Sequence, residues 1–341
     1  MTKLLRLPAH ASSSPFVQGF TITPLLRRLT IPSRSLEEIR AERFKAPPMP
    51  HQIGKNIAWQ MGVLSFVMVA STPSLAFSDE SADPPDKGDY SLVDPTPDAL
   101  MRAFSSDRPP KANSPYTVDA GHFQYETDLA VFGYGTADDT TIHEWTVLDP
   151  TLKVGLTNTI DAELQITPYQ SVTTKTAAGR VSLSGFGDLV GRIKINVLGD
   201  DQGAVSIALL PYIKFPTARN GLGNGKVEGG FILPMSFSAP AGFTIIVMPE
   251  GDILKDAVGN GYHGVLDFLV NVSHPLDKRW TIYTEIFTTQ SFDSQYSPVY
   301  TFDAALTYAI TPNWQFDLGG NFALNRVTPR DQFYAGLSQR F

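Results

Sequence analysis

Trp314–Phe341 reads WQFDLGGNFALNRVTPRDQFYAGLSQRF, and the way its side chains alternate decides the fold. Trp314, Phe316, Leu318 and Phe322 are separated by Gln315, Asp317 and Asn321. In the second half Phe333, Ala335, Leu337, Gln339 and Phe341 share one face, and Gln332, Tyr334, Gly336, Ser338 and Arg340 share the other. Strict alternation of this kind marks β-strands with one apolar and one polar side. Between them 326–330 is the connecting loop, so the two strands are expected as neighbours.

The same period runs outward from these two strands back to Asp119. Phe123, Tyr125, Leu129 and Val131 alternate with Gln124, Glu126 and Asp128, and Leu189, Ile193, Ile195 and Val197 alternate with Arg192, Lys194 and Asn196. Strands are expected near 119–132, 142–156, 160–170, 187–198, 204–216, 227–238, 242–249, 260–273, 279–289, 298–310, 314–325 and 331–341. The even count and the apolar outer rows predict an all-β chain, a transmembrane antiparallel up-and-down barrel of about twelve strands over 119–341. The connections at 157–159, 199–203, 239–241, 274–278 and 311–313 are short, and those between them are mostly longer, with 171–186 the longest external loop expected. Short periplasmic turns and long external loops follow this order in outer-membrane barrels.

Aromatic placement gives the orientation. Trp280, Trp314 and Phe123 lie beside short turns, and Tyr262, Tyr300 and Phe333 fall near the opposite rim, as two membrane girdles require. Phe341 ends the outward row of the last strand, resembling the terminal aromatic read by the barrel assembly machinery. Outer-membrane lipid is the other expected partner.

Composition agrees. Charged residues are 18% and hydrophobic residues 42%, as expected when polar positions dilute apolar ones along each strand. The net charge of −7 speaks against a nucleic-acid partner, and the absence of cysteine excludes disulfides and thiolate chemistry. Lys55, the apolar stretch 57–70 and the small residues Ser74 and Ala76 read as a signal peptide over 49–76. Residues 1–48 then precede the expected start at Met49 as a gene-model extension. Residues 77–118, rich in Pro, Asp and Ser, form a disordered or plug-like N-terminal extension, with a short helix expected after Pro97.

The polar rows should face the lumen. Arg192, Lys194 and Lys214 would form a basic wall opposite an acidic one of Asp267, Glu285, Asp303 and Asp317, with Glu126, Asp161 and Glu163 near the bases. Either the walls face each other across a pore, or the groups pair and fill a closed barrel. No Ser–His–acid set emerges around His122, His143, His263 and His274, so no enzyme and no catalytic residue is expected. His122, Gln124 and Glu126 alternate as lumen polarity rather than as metal ligands. Gly221–Lys226 lacks the following helix that a phosphate loop needs and reads as a flexible external loop. No cofactor is expected.

The segments DRPPKANSPYTVDAGHFQYETDL (Asp107–Leu129), VGLTNTIDAEL (Val154–Leu164), GFGDLVGRIKI (Gly185–Ile195) and AITPNWQFDLGGNFALN (Ala309–Asn325) together resemble the outer-membrane transporter-like family of the MetA pathway of phenol degradation. The resemblance spans roughly 105–341. It implies a barrel that passes small organic, including aromatic, solutes. A closed interaction barrel and an outer-membrane hydrolase are the alternatives.

Overall fold

The structure, a computed structural model, describes residues 86–341 apart from 138–139, 202, 220, 257 and 326–330. The expected signal peptide, the residues before it and 77–85 lie outside the described residues.

Fifteen β segments form one antiparallel sheet: β1 Phe123–Ala137, β2 Thr140–Thr157, β3 Ile160–Gln165, β4 Tyr169–Thr176, β5 Gly179–Gly185, β6 Leu189–Leu198, β7 Val205–Phe215, β8 Glu228–Ile232, β9 Met235–Ser238, β10 Thr244–Lys255, β11 Tyr262–Pro275, β12 Trp280–Ser291, β13 Val299–Thr311, β14 Trp314–Ala323 and β15 Asp331–Arg340. β3 with β4, β5 with β6, and β8 with β9 are each one strand broken in the middle, so the wall has twelve strands. Two of the breaks fall at Pro168 and Pro234, whose missing N–H cannot serve the ladder. β1 pairs with both β2 and β15, which closes the barrel and leaves no free edge there.

The faces follow the alternation. On β15, Tyr334, Gly336, Ser338 and Arg340 are buried while Phe333 and Phe341 stand exposed. Leu152, Leu164, Ile193, Ile213, Leu266, Phe268, Ile286 and Leu318 are likewise exposed, on the rows opposite buried Asp, Glu, Lys and Arg. That inversion of the usual burial order is what a lipid-facing belt around a polar interior demands. No helix among the described residues is long and apolar enough to cross a membrane, so the crossing is made by strands.

Four expectations need correction. Residues 171–186 are not a loop: β4 and β5 pair from Gln170–Gly185 to Thr176–Gly179, extending the wall upward beside β2. One face carries Ser171, Thr173, Ser182 and Ser184, and the other turns Val172 and Leu183 inward onto Ile142 and Leu222. A bulge between Asp128 and Ala130 shifts the parity of β1, so Phe132, not Val131, joins the outward row and meets Trp145 at 4.8 Å. The helix after Pro97 shrinks to a single 3-10 turn, Asp98–Leu100, because the chain there is held extended by contacts with the barrel rather than by its own turns. Gly221–Lys226 folds inward: Leu222 is buried against Ile142 and Val172, and Asn224 accepts from Lys214.

Candidate functional site

The lumen is occupied by the N-terminal extension. It docks where the short turns lie. Asp119, fully buried, pairs with Lys87, with Arg102 at 3.2 Å and with Arg340 of β15 at 3.1 Å. Arg102 also bonds Asp200 in the β6–β7 turn and the Asn158 carbonyl in the β2–β3 turn. Burial pushes the Asp200 carboxyl up to about 6, with the Arg102 guanidinium pulling the other way. These residues tie two turns and the last strand to one segment.

Above this clamp, residues 107–115 are all buried inside the barrel. Asp107 accepts from Lys153 of β2 and from Lys194 of β6 at 2.8 Å. Arg108 pairs with Asp317 of β14 and Asp128 of β1, each at 2.8 Å. Lys111 reaches Asp303 of β13, and the Ala112 N–H donates to Glu285 of β12 at 3.1 Å. A Cβ at Gly336 would sit 2.0 Å from the Arg108 guanidinium, so only glycine at that place in β15 leaves room for it.

The expected lumen charges are therefore all inside, but they meet differently from two bare walls. Arg192 and Lys194 pair with Glu163 on the adjacent strand at 3.7 and 3.4 Å, and Lys153 joins them to Glu126 at 2.6 Å. Lys214 pairs with Asp188 and Glu228 near the upper rim. Asp303, Asp317 and Glu285 face cations and N–H groups of the extension, not the basic strands. Asp267 is buried on β11, opposite Glu250 of β10. Between extension and wall, Asp107, Arg108, Glu126, Asp149, Lys153 and Arg192 line a cavity of about 20 Å³, room for a water or two.

The other side of the lumen carries an apolar stripe beside the buried acids Glu250, Asp252 and Asp267. Val190, Ala208, Leu210, Tyr212, Ile232, Met248, Leu269 and Phe287 point inward from β6 to β12 and cluster with Ala112 of the extension. The girdle positions Trp280, Phe123, Tyr262, Tyr300 and Phe333 are exposed on the outer surface, with Trp314 half-buried among them. Phe341, 63% exposed, stacks near Tyr125 and exchanges backbone hydrogen bonds with Phe123 across the closing seam.

The extension was expected as disordered or plug-like, but its anchoring residues Asp107, Arg108 and Lys111, and the apolar stripe, escaped the sequence reading. A signal for the stripe exists: Leu209-Leu210, Phe268-Leu269-Val270 and Ile286-Phe287 place apolar side chains on both faces at once, breaking the alternation.

A family described as "Putative MetA-pathway of phenol degradation" matches residues 106–341, more than half of the chain. The chain belongs to this family. Its match begins within the extension, so the inner segment is part of what the family shares. Among solved structures, an outer membrane channel from Pseudomonas putida F1 is similar over 67% of this chain and 98% of its own, at 12% identity and a TM-score of 0.51. NanC porin aligns over 63% of this chain and 98% of its own, at 13% identity and a TM-score of 0.42. The CymD monoaromatic hydrocarbon channel covers 64% and 87%, at 9% identity and a TM-score of 0.35. The Pseudomonas likeness establishes a shared fold, the closed antiparallel β-barrel. No curated protein matches the chain.

Proposed function

We propose that the protein is a passive outer-membrane channel for small organic solutes, aromatic ones included, and not an enzyme. The observation that carries this reading is the inward apolar stripe from Leu210 to Phe287. A lumen for ions and sugars is expected to be polar throughout. Here one side would offer a ring or short chain dispersion contacts from the stripe, next to the acids Glu250, Asp252 and Asp267. The family name and the presence of an aromatic hydrocarbon channel among the structural relatives support the same class. Outer-membrane lipid around the belt and the barrel assembly machinery at Phe341 are the partners that fit this reading.

A closed barrel is the second reading, favoured by the small size of the cavity beside the extension. Liposome swelling separates the two. Proteoliposomes of the folded chain should swell faster with phenol-class solutes than with sugars of similar size. No swelling with any solute supports the closed barrel, and faster swelling with sugars removes the apolar stripe as the selective feature.

A further inference from the structure

At the external rim, two loops from different hairpins bring metal-ligating side chains together. Asp256 follows β10, His263 begins β11 and Asp293 follows β12; one donor atom from each lies within 4.8 Å of the others. We propose that these three residues bind a divalent transition-metal cation of the zinc class. The donor set is one imidazole nitrogen and two carboxylate oxygens, which suits such a cation better than calcium or magnesium, whose ligands are oxygens alone.

The geometry is partly made. His263 Nδ1 lies 3.0 Å from Asp256 Oδ1, and the imidazole stacks on Tyr296 with centroids 5.3 Å apart and planes 26° apart. The ring is thus held in orientation, as ligating histidines are. Asp293 is held from its own loop, its Oδ1 accepting from the Gln295 N–H at 2.9 Å and its N–H donating to Ser291 Oγ at 3.1 Å. A cation about 2 Å from each donor needs donor separations of about 3 to 4 Å, within reach of small side-chain rotations here.

Charge and space point the same way. Two carboxylates converge with no Lys or Arg ion pair to either among the described residues. The nearby Lys255 ammonium donates instead to the backbone carbonyls of Asp256 and Gly259, at 2.8 and 2.7 Å. A Cβ at residue 261 would fall 2.2 Å from Asp256 Oδ2, so Gly261 leaves the space into which that carboxylate turns. The Asp256 side chain is 27% exposed and that of His263 9%, open enough for a cation to enter and dry enough to hold it. Once bound, the ion would join the neighbouring β10–β11 and β12–β13 loops at the rim.

Isothermal titration of the folded full chain in detergent with Zn²⁺ alone tests the site. One saturable Zn²⁺ per chain is expected, with affinity reduced about tenfold or more in His263→Ala and in the isosteric Asp293→Asn, and unchanged in His143→Ala on the outer face. Heat-modifiable migration confirms that each variant is folded. No saturable binding by the wild type overturns the proposal. So does undiminished binding by both His263→Ala and Asp293→Asn.

Discussion

The two sides of the lumen are built on opposite principles. From β13 round through β1 to β6 the inner wall is charged and every ion pair there is made with a neighbour or with the extension; from β7 to β12 an apolar stripe interrupts the polar row. Ion pairs away from bulk water are specific in geometry and costly to break from one side. Apolar contacts are undirected and tolerate exchange of the group that makes them. The difference fits anchoring on the first side and, under the proposed function, passage on the second. The extension serves both: Asp107, Arg108 and Lys111 hold it to the charged wall, while Ala112 and Asn113 present a small surface to Met248 and its neighbours.

The largest expected effect comes from removing the anchor altogether. Deleting residues 105–116 should raise single-channel conductance severalfold in planar bilayers, because the segment fills the middle of the lumen. Unchanged conductance would mean that passage does not run beside this segment, and the division between the two sides would lose its functional meaning.

Cutting one anchor is the next step down. Asp107→Asn leaves Lys153 and Lys194 buried with only Glu126 and Glu163 to balance them. Losing one partner of a buried ionic cluster costs about 3–5 kcal/mol. Urea unfolding of the folded barrel should show a drop of that order, and a loss under about 1 kcal/mol would place Asp107 in solvent.

Much of the barrel was legible in advance, and the reason is the pleat. Each strand crosses between lipid and lumen, so every residue must choose a side, and rows such as Phe333–Phe341 write that choice into the sequence. The charges at Arg192, Lys194, Asp303 and Asp317 were legible as members of the polar rows for the same reason. Their partners were not. Residues 107–115 have no periodicity because an extended segment enclosed on all sides obeys no two-face rule, and its composition of Pro, Asp and Ser is also that of a disordered tail. Which base meets which acid depends on that segment's path. The break at Pro234 and the bulge in β1 were hidden too, since each shifts the parity that the reading relies on.

Changes on the apolar side should leave the fold intact and alter selectivity instead. Leu269→Gln and Phe287→Gln put an amide into the stripe in place of a buried apolar side chain. Stability should fall by less than in Asp107→Asn, while the ratio of phenol-class to sugar swelling rates falls well below the wild-type value. An unchanged ratio would show that the stripe is ordinary packing against Ala112.

The smallest effect is expected from an aspartate on neither side. Asp277 lies in the short β11–β12 turn, exposed, where Oδ1 accepts the N–H groups of Arg279 at 2.7 Å and Trp280 at 2.8 Å. Those two N–H groups hold its carboxyl below the ordinary aspartate range. A depressed carboxylate contributes stability above its unfolded pKa and loses it as pH falls through the folded one. Asp277→Ala should therefore lower stability slightly at neutral pH and make no difference in strong acid, when wild-type Asp277 is protonated as well. Urea midpoints of Asp277→Ala and Asp107→Asn, measured side by side at neutral pH, compare the same residue type with water present and with water excluded. Water competes freely for the turn's N–H groups whenever Asp277 lets them go, but the cavity beside Asp107 has room for a water or two only, and neutral water does not replace a carboxylate between two buried ammonium groups. If the two substitutions cost the same, enclosure is not what makes the charged side of the lumen an anchor.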